Sequence, residues 1–166
     1  MKRQIGQPQN LILSYFQTPL GKMIAVADED SLYSLQFVNH SKLQIDLPEK
    51  KTAPIDLIEK ELTQYFAHNL TEFKTPLYLS GSPFQKQVWE ALQKIPFGTT
   101  TSYAKLACAI GKKTAFRAVA QANGANPFAI IIPCHRVIYA NGALGGYNAG
   151  TERKEWLLNH EKSFRN

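Results

Sequence analysis

The chain has 166 residues, 44% of them apolar and 19% charged, a composition that supports a buried core and excludes a disordered or fibrous class for most of the length. Its longest uninterrupted apolar runs, Phe128–Ile132 among them, span five residues, far short of the roughly 18 or more that a bilayer-spanning helix takes, so no membrane partner is expected. The net charge of +6 is unevenly placed: residues 1–80 hold eight Lys and Arg against nine Asp and Glu, net −1, and residues 81–166 hold eleven against four, net +7, which points to a polyanion-binding second half, or to a merely soluble basic domain.

At the start, Met1-Lys2-Arg3 is followed by no apolar stretch, so no secretory signal is read and a cytoplasmic chain is expected. Leu11–Phe16 and Met23–Ala27 are short apolar-rich runs on either side of Thr18-Pro19-Leu20-Gly21. After a turn at Asp28–Ser31, Tyr33, Leu35 and Phe37 alternate with Ser34 and Gln36, which completes a predicted β-meander. Residues 39–53 are polar and read as loop. From Ile55 the period changes: Ile55, Ile58, Leu62, Tyr65 and Phe66 predict a helix ending near Asn69. Leu77–Leu79 predicts one more short strand, and Ser80-Gly81-Ser82-Pro83 marks a boundary between domains at 1–80 and 82–166.

Ser82 followed by Pro83 is a good helix start, and Phe84, Val88, Leu92 and Ile95 then share a face. That helix ends near Pro96-Phe97-Gly98. Ser102 can cap a second helix through Tyr103, Leu106 and Ala107, stopped by Gly111, and Thr114 can cap a third from Ala115 to about Asn123. Two short helices joined through a tight glycine-containing turn predict a helix-turn-helix. The third helix carries Arg117 among small residues; it suits close approach to a nucleic-acid groove, and equally close packing on a neighbouring element.

The only cysteines are Cys108 and Cys134, so at most one disulfide is available and a reducing compartment disfavours it. The four histidines show no ligand-like pairing with them, and no metal is expected. Phe128–Ile132 reads as a buried strand or extended segment that delivers Cys134 and His135 directly after Pro133. Cys108 alone reads as structural. At Cys134 the neighbours point to nucleophilic work: His135 can accept a proton, and Arg136 with the basic domain favours a thiolate. Extended backbone would send the two adjacent side chains opposite ways, so their cooperation requires a turn or a bridging water. An orienting carboxylate in this half must be Glu90, Glu152, Glu155 or Glu161.

The segment Pro133-Cys134-His135-Arg136-Val137, with Asn126-Pro127 upstream, Arg117-Ala118-Val119 before it and Lys154-Glu155-Trp156-Leu157-Leu158-Asn159-His160-Glu161 downstream, resembles the O6-alkylguanine-DNA alkyltransferases. The likeness covers about residues 82–162 in register; the first 80 residues are similar in layout only. It implies an α/β chain with a small ribonuclease-H-like domain of sheet and helix, then a mostly helical winged helix-turn-helix domain. It implies transfer of a methyl group from O6 of guanine, and less readily O4 of thymine, in double-stranded DNA to the protein's own Cys134. The nucleotide is flipped out first, because a stacked base cannot reach a sulfur held in a pocket. No external cofactor enters and no turnover follows, since a thioether offers water no activated leaving group.

By the same resemblance His135 takes the thiol proton through a water, Glu161 orients His135, and Asn126 braces the surrounding turn. Tyr103 pushes the phosphate and protonates the departing guanine, and Arg117 fills the space that the flipped nucleotide leaves. Thr101, Ser102, Lys112, Ala118 and Arg136 are expected on DNA. Gly145, Tyr147 and Asn148, in the glycine-rich stretch Tyr139–Gly150, are expected beside the base; Asn148 replaces a small serine of the human-type pattern, which bears on bulky alkyl groups. With no cysteine before Cys108, the zinc site that some members carry in the first domain is not expected. Cys134, where related non-repairing proteins have Trp, implies the reactive class. A monomer is expected. Two competing readings are a non-enzymatic DNA-binding module and a Cys-His hydrolase; the hydrolase lacks a clear oxyanion arrangement.

Overall fold

In the computed structural model, which describes residues 10–39 and 45–164, the chain opens with three antiparallel strands in the order β1-β2-β3: β1 (Ile12–Thr18), β2 (Gly21–Ala27) and β3 (Leu32–Phe37). Gly21 makes the first hairpin possible at φ +116, in the left-handed region that favours glycine. Phe16, Met23, Ala25, Leu35 and Phe37 enter the main core, whereas Leu13, Ile24 and Val26 form a small cluster of their own. Helix α1 (Ala53–Phe66) lays Ile55, Ile58, Leu62 and Tyr65 into the main core, as its periodicity predicts.

The strand expected at 77–79 is only an isolated bridge between Leu32 and Leu77. Leu32 N donates to Pro76 O and Tyr78 N to Leu32 O, but by Leu35 the same edge of β3 is occupied from the second half: Leu35 N donates to Pro127 O and Ala129 N to Leu35 O. A strand edge pairs with one partner at a time, so the segment ends where Pro127–Ala129 begins.

Helix α2 (Pro83–Gln93) starts as predicted, with a reciprocal cap in which Gln85 N donates to Ser82 Oγ at 3.1 Å and Ser82 N to Gln85 Oε1 at 3.0 Å. Strand β4 (Thr101–Ser102), helix α3 (Tyr103–Ala109), helix α4 (Phe116–Gly124), strand β5 (Val137–Ile138) and helix α5 (Thr151–Ser163) follow, with β4 and β5 parallel. Ser102 caps α3, accepting from Lys105 N at 3.1 Å. Thr114, however, does not cap α4. Backbone bonds from Lys112 N to Ala107 O and from Ala115 N to Lys112 O fold the connection, which puts Ala115 at the cap position with no side-chain bond. Trp89 Nε1 donates to Ala122 O at 2.9 Å and fixes α4 on α2.

One core runs through both halves, from Met23 and Leu35 through Ile58 to Val88, Val119, Ile132 and Leu157. Burial on that scale is the main stabilising term of the fold. No helix of the described residues is long and apolar enough to cross a membrane.

Candidate active site

The region around Cys134 is built on a turn where the sequence predicts an extended run. Asn126 Nδ2 donates to Ile132 O at 2.7 Å and to Phe128 O at 3.2 Å, and Asn126 Oδ1 accepts from Phe128 N at 2.9 Å. These bonds close residues 126–132 into a loop, and Ile130 at its tip has φ +73, a conformation a β-branched residue adopts only under constraint from its surroundings. The loop delivers Pro133 to a single 3-10 turn, Cys134–Arg136. The turn lets adjacent residues serve one site: Cys134 lines a cavity of about 520 Å³, while His135 and Arg136 reach Glu161.

Cys134 is 7% exposed. Burial pushes its thiol pKa up, while the Asn126 side chain, the Lys154 ammonium and a backbone N–H draw it down. The cation that favours the thiolate is therefore Lys154. Arg136, expected to help the thiolate and to contact DNA, is instead buried: its Nε donates to Glu161 Oε1 at 2.7 Å, its Nη2 to Oε2 at 3.3 Å and its Nη1 to Ile95 O at 2.9 Å. With three of its five N–H donors bonded in the interior and the residue 7% exposed, the guanidinium is not presented to a phosphate on the surface.

His135 is fully buried, with Nε2 2.6 Å from Glu161 Oε2. Burial pushes Glu161 up, but its bonds to His135 and Arg136 hold it ionised, at about 2. An ionised carboxylate only accepts, which assigns the proton to His135 Nε2 and leaves Nδ1 as an acceptor. Burial lowers the His135 pKa against the pull of Glu161, so the ring is neutral and able to take a proton. Nδ1 bonds no group among the described residues.

Lys154 escaped the reading of the sequence. It is buried in α5, and its Nζ donates to Val137 O at 2.7 Å and Gly146 O at 3.2 Å. Burial lowers its pKa to about 8, opposed by Cys134. The available signal was spacing, since Lys154, Leu157 and Glu161 recur at three- and four-residue steps on one helix face. Tyr65 also went unnoticed as a site residue; its hydroxyl donates to Glu161 Oε2 at 2.7 Å.

Tyr103, Tyr147 and Asn148 line the cavity, along with Asn126. Gly145 does not line it; Gly146 does. Gly145 has φ +72, and a Cβ there would stand 3.1 Å from the Tyr139 ring and 3.3 Å from Tyr103 Oη, so the residue permits a close approach of loop to rings. Asn148 Nδ2 donates to Gly124 O, tying the loop to the end of α4. Burial raises the Tyr103 pKa, with Tyr139 and Cys134 adding to it. Gln36, Phe37 and Asn39 complete the wall from the first half, a contribution invisible to local motifs. Asn123 Oδ1 and Tyr147 Oη, both from wall residues, are buried without a hydrogen-bond partner among the described residues.

The remaining predicted residues do not line the cavity. Arg117, Ala118 and Lys112 are exposed on and before α4, and Thr101 is half-buried. Ser102 is buried with its hydroxyl engaged as the α3 cap. Cys108 is exposed on α3.

Residues 83–163 match the family model described as 6-O-methylguanine DNA methyltransferase, DNA binding domain, and residues 11–79 match its ribonuclease-like domain. The chain is similar to the methylated-DNA–protein-cysteine methyltransferase of Methanosarcina acetivorans, 42% identical over 151 residues, covering 89% of this chain and 96% of the relative. It is also similar to the constitutive one of Bacillus subtilis, 41% identical over 152 residues, covering 88% and 92%. Among solved structures, that of Mycobacterium tuberculosis OGT in complex with DNA has a TM-score of 0.85 at 41% identity, covering 92% of this chain and 93% of that one.

Proposed function

The chain belongs to the 6-O-methylguanine DNA methyltransferase family, and from that membership we propose how its own residues carry the reaction. It is a methylated-DNA–protein-cysteine methyltransferase that binds DNA and repairs O6-methylguanine. Residues 82–166 hold the transfer site and the DNA-binding surface, and residues 1–80 form the companion domain. The substrate is double-stranded DNA and the protein acts as a monomer, with O4-methylthymine as a lesser substrate.

Lys112, Arg117, Ala118 and Thr101 meet the duplex, and Arg117 occupies the place of the nucleotide flipped into the cavity, offsetting part of the unstacking cost of a few kcal/mol. His135 Nδ1 accepts the Cys134 proton by way of a water, and Lys154 supports the thiolate. Sulfur attacks the methyl carbon; the S–C bond forms as the C–O6 bond breaks, and the bonding pair leaves on the guanine. Tyr103 donates the proton that restores neutral guanine. Tyr147 and Asn148 flank the base, and Asn126 keeps the turn closed.

The observation that carries this reading is the buried thiol set near polar atoms that have no hydrogen-bond partner among the described residues: Asn123 Oδ1, Tyr147 Oη and His135 Nδ1. Buried polar atoms are ordinarily paired, and a purine edge with its donors and acceptors suits the two on the wall. Substitution of Cys134 by Ser should abolish transfer and retain DNA binding that weakens steeply with salt. Substitution of Cys108 by Ser should leave transfer nearly intact. Repair by the Cys134→Ser chain would overturn the assignment.

A further inference from the structure

Glu161 Oε2 accepts from three donors: His135 Nε2 at 2.6 Å, Arg136 Nη2 at 3.3 Å and, from a distant part of the chain, the Tyr65 hydroxyl at 2.7 Å. Tyr65 lies on α1 and is fully buried. Its ring packs edge-on against Phe97 and Phe66 and lies 5.0 Å from the His160 ring, while its carbonyl accepts from His160 Nε2 at 2.8 Å. The hydroxyl is thus held where it is by contacts independent of the carboxylate. Burial and Glu161 raise its pKa well above the usual phenol value, so it remains a donor throughout the working range.

A carboxylate oxygen that already accepts a hydrogen bond has less charge to offer a second donor. We propose that Tyr65 is a positioning residue for the thiol proton relay: it fixes Glu161 Oε2 toward His135 and, by sharing that oxygen, limits how strongly the carboxylate draws on the imidazole. The first domain then supplies a working part of the site in the second. The other titratable groups around the His135–Glu161 pair are Arg136 on the turn, Lys154 and His160 on α5, Tyr147 on the loop, and Cys134; of these only Arg136 also bonds Oε2, at a longer 3.3 Å, with its shorter bond going to Oε1. The inference rests on the reading of His135 as the acceptor of the Cys134 proton.

The test is the pH profile of single-turnover transfer from free O6-benzylguanine, which needs no base flipping. In Tyr65→Phe, Glu161 binds the protonated imidazole more tightly, so the acidic limb moves to higher pH. A shift of half a unit leaves the rate unchanged well above the limb, and the loss grows as pH falls through the limb to a plateau of about threefold below it. Placing 3-fluorotyrosine at position 65, a stronger donor of nearly the same shape, moves the limb the other way, and this chain decides the matter where Tyr65→Phe fails to fold. An unmoved limb, or a rate lowered by one factor at every pH, would overturn the proposal and leave Tyr65 a packing residue. The unsubstituted chain, run beside them and checked for benzyl on Cys134, keeps failure of the functional reading distinct from failure of this one.

Discussion

Arg136 Nε lies 2.7 Å from Glu161 Oε1, with the side chains 8% and 1% exposed. Arg136 lies on the turn that carries Cys134 and bonds both carboxylate oxygens, Oε1 from Nε and Oε2 from Nη2 at 3.3 Å, while Oε2 also meets His135. Its charge also disfavours a proton on the imidazole, which keeps His135 a base.

Arg136→Ala should therefore act on stability. Leaving one member of a buried pair uncompensated costs about 3–5 kcal/mol, readable as a fall in the urea midpoint with an unchanged slope. The salt dependence of DNA binding should stay as it is in the folded protein. Wild-type stability with a shallower salt dependence would place Arg136 on the phosphates instead.

Arg117, exposed on α4, should behave in the opposite way. Arg117→Ala should slow repair of a duplex far more than reaction with free O6-benzylguanine, because only the duplex needs a base extruded and its place filled. Single-turnover rates on the two substrates give the comparison; equal slowing on both would assign Arg117 to support of the scaffold.

Lys154 gives a pH signature. Its ammonium titrates at about 8, so its support of the thiolate is present below that pH and lost as the pH rises through it. Lys154→Met should lower the transfer rate near neutrality by roughly 10-fold or more, the scale of a lost electrostatic contact in a buried site. The substituted chain should also lack any decline that the unsubstituted chain shows above about 8. For stability the sign is separate: the folded pKa lies below the ordinary 10.5, so the cost of burying the ammonium is full below about 8 and relieved as the pH rises from there toward 10.5.

Alkylation should weaken the fold. Transfer replaces a small thiol in a nearly closed site, 7% exposed, by a larger thioether that cannot donate. Overpacking costs about 1–3 kcal/mol and an unsatisfied buried partner about as much again, against a gain of about 0.8 kcal/mol for one buried carbon. For a chain of this size each kcal/mol moves Tm by roughly 2–4 °C, so a drop of several degrees is expected. Melting curves of unreacted and fully methylated protein, free of DNA, provide the check; an unchanged or raised midpoint would show that the site accommodates the product without strain.

Local chemistry was legible in the sequence and long-range chemistry was not. The caps at Ser82 and Ser102 could be read because each bonds a backbone N–H three residues away. The Thr114 cap failed because backbone bonds within the connection displaced it. The run Phe128–Ile132 carries the composition of a strand, yet the Asn126 amide closes it into a turn; composition does not register one competing side chain. Tyr65 meets Glu161 across 96 positions, and no local pattern announces such a contact. Arg136 was expected on DNA, in keeping with the ordinary preference of charged residues for the surface, and burial with bonds to Glu161 and Ile95 overrides that preference here.

Cys108 is exposed and Cys134 is buried, so accessibility and site chemistry make opposite forecasts of which sulfur reacts. Peptide mass spectrometry after incubation with one equivalent of a duplex containing O6-methylguanine separates them. The account predicts one methyl group per chain, carried by the peptide holding Cys134, with Cys108 unmodified. A methyl group on Cys108, or none on either sulfur while the lesion disappears from the DNA, would contradict it.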